Sequence, residues 1–132
     1  MTERRASCSC GQLSIACQGE PVRISVCHCL ECQKRTGSAF GAQVRFSTEL
    51  TSPRGDSTVY TRVCEDGDRI HFHFCPKCGS TVYYLMESQP ELTAITLGTF
   101  ADPQFPAPRF SVYEDRMHSW VSVPGSEVEH FN

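Results

Sequence analysis

The sequence predicts a mainly β fold, a single domain of curled antiparallel β-sheets with at most one short helix. Two observations support this prediction: short runs of alternating apolar and polar residues recur along the chain, and clusters of turn-forming residues separate them. A chain of 132 residues is the size of one ordinary domain, and we find no linker long enough to divide it. We therefore expect residues 1–132 to form one domain.

Seven segments show the alternation of a half-buried strand and are rich in β-branched and aromatic residues. In chain order they are GQLSIACQG, PVRISVC, FGAQVRFS, STVYTRV, RIHFHF, STVYYLM and ELTAITLGTF. In the second segment, the period of two places Val22, Ile24 and Val26 on one face. In the first segment it places Cys17 on the core side, where a free cysteine behaves as a small apolar residue.

The connections follow from turn chemistry. The segments SPRGD, EDGD and ADPQFPAP are typical of turns and loops. One short helix is expected from about Leu30 to Arg35, ended by Gly37. The Pro-rich ADPQFPAP segment is interpreted as the connection to a last hairpin, formed by RFSVYED and HSWVSV.

Charge and composition exclude several classes of partner. The formal charge is −3 and the basic residues are scattered, whereas a nucleic-acid surface concentrates them. The first residues, MTERRASCSCG, lack the apolar run of a signal peptide, and no stretch approaches the roughly 20 apolar residues of a membrane span. We therefore expect a cytoplasmic protein with neither a nucleic-acid nor a membrane partner. In that reducing compartment, clustered cysteines more often bind metal than form disulfides.

Seven of the nine cysteines fall into three tight groups. The groups are SCSCGQ with Cys8 and Cys10, VCHCLEC with Cys27, Cys29 and Cys32, and FCPKCGS with Cys75 and Cys78. The last has the form of a zinc knuckle, in which two thiolates two residues apart converge on one ion. Two cysteines separated by one residue point to opposite faces of a straight strand, so the first group needs a bend, which Gly11 permits.

The number of cysteines suggests how they divide. A closed structural zinc takes four ligands, whereas a catalytic zinc takes three from the protein and keeps one position open. The two pairs, at opposite ends of the chain, would complete one closed site, and the triplet would hold a second, open zinc. Spacing alone permits other groupings.

Other uses of these thiols are less favoured. Disulfides between cysteines separated by one residue are strained, and the CPKC segment lacks the βαβ context of a thioredoxin-like redox pair. The main alternative is a single structural zinc, with the triplet as spare thiols.

Together these motifs resemble the glutathione-dependent formaldehyde-activating enzyme (GFA) family, which also includes centromere protein V. The matching features are C-x-C-G near the start, C-H-C-x-x-C followed by TGSAF, and a later F-C-x-x-C-G-S. The similarity extends from Cys8 to the closing SVYEDRMHSWVSVP, which is nearly the whole chain.

The resemblance implies a curled all-β fold that binds two zinc ions per chain. It implies a structural zinc on Cys8, Cys10, Cys75 and Cys78. It also implies a catalytic-site zinc on Cys27, Cys29 and Cys32, where the thiol of glutathione can approach. The implied activity is that of a carbon–sulfur lyase of the S-(hydroxymethyl)glutathione synthase type, which adds glutathione reversibly to formaldehyde or a related small aldehyde. A non-catalytic zinc-binding interaction domain and a thiol-based metal or redox sensor are the alternatives.

A basic pair follows the triplet directly. Zinc with three thiolates carries a net negative charge, and an incoming substrate thiolate would increase it, which is unfavourable in a dry pocket without nearby cations. Lys34 and Arg35 are therefore candidates to offset this charge or to hold a substrate carboxylate. The alternative is a solvated basic pair on a short helix.

Several histidines lie near the cysteine groups. Alternation in RIHFHF places His71 and His73 on the face opposite the phenylalanines, as a fourth zinc ligand or proton shuttle, or simply as exposed residues. His28 lies between two ligands and is expected to point away from the metal. His118, with Trp120, is expected to pack the last hairpin, with a pocket wall as the alternative.

The remaining candidates adjoin the triplet or stand alone. The turn Thr36, Gly37 and Ser38 offers backbone N–H groups to an anion, or is an ordinary helix stop. Phe40 lines a pocket or belongs to the core. Cys64 has no identifiable partner and stays outside the metal sites.

Overall fold

The computed structural model describes residues 2–132 and confirms a mainly β architecture. Within these residues it contains eleven strands in two sheets and one α-helix, α1, over Leu30–Thr36. The strands are β1 Glu3–Ser7, β2 Ser14–Gln18, β3 Arg23–Cys27, β4 Gly41–Ser47, β5 Thr51–Arg54, β6 Thr58–Val63, β7 Arg69–Phe74, β8 Thr81–Met86, β9 Leu92–Thr96, β10 Phe110–Val112 and β11 Glu129–His130. Short 3₁₀ turns cover Thr48–Leu50, Leu97–Phe100 and Glu114–Arg116.

The smaller sheet has the order β1-β2-β5, and the larger sheet has the order β11-β10-β3-β4-β9-β8-β7-β6. Pairing is antiparallel throughout the small sheet and from β3 to β6 in the large one. Strand β10 is the exception, because it runs parallel to both β3 and β11. The β7–β8 register shifts between His73 and Phe74, immediately before the CPKC segment.

The main core lies between the two sheets. Both contribute fully buried side chains to it, including Ala6 and Ile15 from the small sheet and Val44, Phe46 and Ile95 from the large one. Burying such aliphatic and aromatic side chains is the main favourable term in folding.

A second, smaller cluster lies further along the large sheet. Its members, contributed by β7, β8 and β9, are Ile70, Phe72, Tyr84 and Ala94. This cluster provides the apolar base on which a residue of α1 packs, as described below.

Helix α1 begins and ends as the sequence predicts. Its N-cap is Cys29, whose sulfur accepts a hydrogen bond from the backbone N–H of Cys32 at 3.3 Å. Its end is Gly37, which adopts φ 68° and donates its N–H to the carbonyl of Gln33. The helix is therefore defined at its start by one of the cysteines of the triplet.

The predicted last hairpin is wrong. RFSVYED supplies β10, but HSWVSV forms no strand, and β10 pairs with β3 instead. Tyr113 adopts a left-handed backbone with φ 58°, and the following 3₁₀ turn directs the chain toward α1. There Gln33 donates to the carbonyl of Arg116 and is hydrogen-bonded to His118. Contacts with the helix thus replace the expected return along β10.

Two smaller expectations are also corrected. Val22 does not share the buried face of Ile24 and Val26, because it precedes β3 and is 61% exposed. The segment SPRGD is only partly a turn, since residues 52–54 belong to β5. None of the helices in residues 2–132 is long and apolar enough to cross a membrane.

Candidate functional site

The four paired cysteines converge although they come from opposite ends of the chain. Cys8 and Cys10 lie in the turn after β1, and Cys75 and Cys78 lie in the turn after β7. All four sulfurs lie within 4.8 Å of one another. The Cys8–Cys10 and Cys10–Cys75 sulfurs are each 3.6 Å apart, close to the ~3.8 Å edge of a tetrahedron with Zn–S bonds of about 2.3 Å. The arrangement fits a tetrahedral, thiolate-bound ion.

Local turns bend both segments toward this point. In the first, the N–H of Gly11 donates to the carbonyl of Cys8, and Gly11 takes φ 86°, which a residue with a side chain rarely adopts. In the second, the N–H of Gly79 donates to the carbonyl of Cys75, and Gly79 takes φ 81°. The bend expected in the C-x-C segment is therefore present.

Hydrogen bonds to sulfur favour the thiolate forms of Cys75 and Cys78. Burial acts to raise the pKa of Cys75, but the Gln12 side chain and the backbone N–H groups of Cys78 and Lys77 donate to its sulfur and lower the pKa overall. Backbone and side-chain hydrogen bonds from Ser80 lower the pKa of Cys78 to about 5.

Gln12 is a contributor that sequence reasoning missed. Its amide donates to the Cys75 sulfur at 3.0 Å and is also tied to the backbone of Asp56 at 2.7 and 2.9 Å. No local pattern marks it, because its partners lie more than 40 residues away in the chain.

The triplet forms a second group at the junction of β3 and α1. Cys27 ends β3, Cys29 caps the helix and Cys32 lies in its first turn. The three sulfurs lie within 4.8 Å of one another, and within residues 2–132 no histidine, carboxylate or further cysteine joins them. Cys27 and Cys32 are buried and Cys29 is half-buried. Three soft ligands with one accessible side match the donor set of an open metal site.

The charge in the triplet is unevenly distributed. Cys27 shares a hydrogen bond with Cys32, and this bond, together with burial, raises the pKa of Cys27 well above its ordinary value. The same hydrogen bond lowers the pKa of Cys32 to about 5, helped by Cys29 and by the positive charge and hydrogen bond of Arg35. These opposite pKa shifts favour ionisation of Cys32 over ionisation of Cys27.

The structure separates the two members of the basic pair. Arg35 turns inward: its guanidinium lies 5.2 Å from the ring centre of Phe72 and 5.4 Å from that of Tyr84, and it interacts with the Cys32 sulfur. Cation–π contacts of this kind hold a guanidinium over an apolar surface. Lys34 is exposed and contributes to the edge of an adjoining cavity. Arg35 is thus positioned to offset negative charge on the triplet.

This cavity adjoins α1 and has a volume of about 460 Å³, within the range of small-molecule sites. It reaches from the helix across β6 and β7 to Gly79 in the turn that carries the other cysteine group. Its lining includes three cationic and three aromatic side chains, Lys34, Arg35, Arg62, Tyr60, Phe72 and Phe74. Sequence reasoning did not identify Arg62 or Tyr60, because β6 meets α1 only in the folded chain.

His28 faces away from the sulfurs, as expected. It is fully buried, and its Nε2 is hydrogen-bonded to the Ser111 hydroxyl of β10 at 2.9 Å. Its backbone N–H donates to the carbonyl of Val112, and its carbonyl accepts from the Gln33 side chain. His28 therefore fastens the triplet segment to β10.

His71 and His73 have partners of their own on the sheet. His71 forms an ion-pair contact with Glu87 at 2.7 Å. The ring of His73 stacks on Tyr83 at 4.4 Å, and its Nδ1 is hydrogen-bonded to Ser57. Neither joins the triplet, so the structure does not support the fourth-ligand alternative.

The turn formed by residues 36–38 and the side chain of Phe40 make contacts within the fold. The Thr36 hydroxyl donates to the Cys32 carbonyl and accepts from the N–H of Ser38, which supports the helix-stop interpretation of that turn. Phe40 is half-buried with its ring centre 6.0 Å from that of His28.

Trp120 and the two remaining cysteines lie outside the two sulfur groups. Trp120 is 74% exposed, with His118 edge-on to it at 5.8 Å. Cys17 is buried in the main core, as predicted, and Cys64 packs against the smaller cluster.

Comparison with known proteins completes the description of the site. The family model for the glutathione-dependent formaldehyde-activating enzyme matches residues 3–116. No curated protein sequence gives a significant match. Among solved structures, a crystal structure of a Rhodobacter sphaeroides protein is similar, with a TM-score of 0.60 and 16% identity over 97% of this chain and 99% of that chain. At this identity the similarity concerns the fold alone. Because the family match includes all seven clustered cysteines and most of the chain, the protein belongs to the GFA family.

Proposed function

We propose that the protein catalyses the reversible addition of a thiol, glutathione, to formaldehyde or a related small aldehyde. The observation that carries this proposal is the three-sulfur group of Cys27, Cys29 and Cys32, which has one half-buried member and is connected through Arg35 to a cation-lined cavity. Family membership supports the same chemistry. The enzyme class would be a carbon–sulfur lyase.

Two zinc ions per chain are part of the proposal. Thiolate-only ligand sets select soft or borderline metals, and four and three sulfurs match a closed and an open zinc site. Zinc at the triplet would supply a positive centre that lowers the pKa of an incoming thiol and holds it as the thiolate.

Residues of the chain set the conditions for this step. Cys29, the half-buried member of the triplet, marks the side from which a thiol approaches. Arg35 offsets the negative charge that a further thiolate brings, since its guanidinium already acts on Cys32. Attack by the thiolate on the carbonyl carbon forms the carbon–sulfur bond as the π bond of the carbonyl opens. The resulting alkoxide oxygen takes up a proton, equivalent to the one that the thiol released when it became the thiolate. Positioning of the thiol, rather than polarisation of the aldehyde, is the contribution that a thiolate-rich site favours.

We also infer a cytoplasmic location. All nine cysteines are free, including the exposed Cys10 and Cys78. Free thiols and thiolate metal sites persist most readily in a reducing compartment.

Exchange NMR of formaldehyde and glutathione at equilibrium tests the function. We expect the zinc-loaded protein to increase the exchange rate between free glutathione and S-(hydroxymethyl)glutathione, and Cys29→Ser to remove the increase. An exchange rate equal to that of buffer would refute this substrate pair. One tightly held zinc per chain together with that result would favour the non-catalytic interaction domain.

A further inference from the structure

Two guanidinium groups converge on one aromatic ring in the cavity beside the triplet. Arg35 from α1 and Arg62 from β6 lie 5.2 and 5.4 Å from the ring centre of Phe72. Both line the 460 Å³ cavity. The two side chains therefore bring like charges into the lining of one cavity.

Carboxylates do not compensate these two charges in the part of the chain that the structure describes. In residues 2–132, no carboxylate lies within 4.0 Å of either guanidinium, because all four ion-pair contacts involve other residues. Arg35 acts on the Cys32 sulfur, but its Nε is buried without a hydrogen-bond partner. Arg62 has no hydrogen-bonded anion at all among these residues. Like charges in a concave, partly apolar site repel each other, and a bound anion reduces this repulsion.

The rest of the lining indicates the kind of anion. Guanidinium groups bind carboxylates through two parallel hydrogen bonds, and Lys34 adds a third positive charge at the edge against the one acidic residue, Glu31. The rings of Tyr60, Phe72 and Phe74 provide an apolar wall suited to a flat or unsaturated body.

We propose that this cavity binds a small organic carboxylate, with its anionic group on Arg62 and Arg35 and its apolar body against the aromatic wall. Binding of a carboxylate in this cavity does not require that the protein is an enzyme. Arg35 connects the cavity to the triplet, and the identification of the carboxylate as part of a substrate rests on the proposed function. The carboxylate belongs either to the thiol or to an aldehyde larger than formaldehyde.

Calorimetry on the zinc-loaded chain with benzoate and benzamide tests the binding site. The two probes share an aromatic body and differ in charge. We expect benzoate to bind about tenfold or more tightly than benzamide, and Arg62→Gln to remove that preference. Arg62→Lys should restore part of it, and the exposed Arg54→Gln on β5 should leave it unchanged. Equal affinity for the two probes, or an unaltered preference in Arg62→Gln, would overturn the proposal.

The exchange assay then identifies the source of the carboxylate. If the thiol supplies it, benzoate competes with glutathione, and the ester of glutathione that lacks free carboxylates reacts more slowly. If the aldehyde supplies it, benzoate competes with 4-carboxybenzaldehyde, which reacts faster than benzaldehyde. Binding of benzoate without any acceleration would refute the proposed function and leave the site intact. Acceleration that neither benzoate nor Arg62→Gln alters would refute the site and leave the function intact.

Discussion

The two cysteine groups use the same ligand atom but are built from very different stretches of chain. The four-sulfur group joins the turns after β1 and β7, and two of its members are 65 residues apart. The triplet lies within a single segment at the start of α1. A metal in the first would crosslink the small sheet to the large one, whereas a metal in the second would organise only one short helix. From this difference in the span and number of ligands we infer a structural role for the four-sulfur group and a chemical role for the triplet.

Removing a ligand from the four-sulfur group gives the largest expected effect. Cys75→Ser takes away a fully buried ligand that also receives three hydrogen bonds. We expect a loss of several kcal/mol, comparable to the whole stability of about 5–15 kcal/mol of a small domain, measured by urea unfolding. If the unfolding free energy of this variant equals that of the wild type, the four-sulfur group has no structural role.

The matched change in the triplet should leave the fold intact. We expect Cys29→Ser to keep the circular dichroism spectrum of the wild type while the zinc content falls from about two ions per chain to about one. The catalytic exchange rate should fall to that of buffer. If Cys29→Ser unfolds, the triplet is part of the scaffold and the contrast between the groups is lost.

Arg35 sharpens the comparison, because the four-sulfur group has no equivalent cation in the contacts described. Arg35→Gln removes the charge beside Cys32. We expect the affinity of the triplet for zinc to fall by roughly tenfold or more, measured by competition with a chelator, and the other zinc to be unaffected. Arg35→Lys should recover part of the loss. Unchanged competition in Arg35→Gln would show that its role is packing on Phe72 alone.

The two groups also differ in which cysteine has a raised pKa. In the triplet the raised pKa belongs to buried Cys27. In the four-sulfur group the raised pKa, about 11, belongs to Cys10, which is exposed to solvent. The largest single effect, a hydrogen bond from the Gln12 backbone, lowers this pKa, but desolvation and the neighbouring cysteines together raise it by more.

Metal binding needs the Cys27 thiolate, so it must release that proton. The affinity of the triplet should therefore rise with pH, by up to about tenfold per unit for one proton. Chelator competition between about pH 6 and 8 measures this slope. A flat profile would contradict the raised pKa of Cys27.

Gln12→Ala should have the smallest effect. It removes the hydrogen bond to Cys75 and the ties to Asp56. We expect a loss of ~1–2 kcal/mol in unfolding free energy, with no change in chelator competition at the triplet. A larger effect on the triplet than on stability would contradict the separation of the two groups.

Much of the fold is visible in local patterns, and the exceptions have physical reasons. The strands with alternating apolar residues are found because burial on one face imposes the period of two. Strand β1 was not predicted, since Ala6 is its only buried residue. Strand β5 resembles a turn because it contains Pro53, which an edge strand tolerates.

The candidate site likewise has residues that the sequence predicts and residues that it does not. The short spacing within each cysteine group predicts the metal ligands, because two or three sulfurs from one segment can reach the same ion. The partners of the cysteines are not visible in spacing. Gln12 reaches Cys75, and Arg62 reaches the cavity, only through pairing between distant strands.

A crystal structure of the protein grown with zinc and glutathione would distinguish a closed zinc site from an open one in a single measurement. We predict two zinc ions per chain. One should be enclosed by Cys8, Cys10, Cys75 and Cys78, and the other bound by the three sulfurs of the CHCLEC segment and the sulfur of glutathione. Oxidised CHCLEC thiols, a single ion shared by both groups, or glutathione bound away from the second zinc would contradict the account.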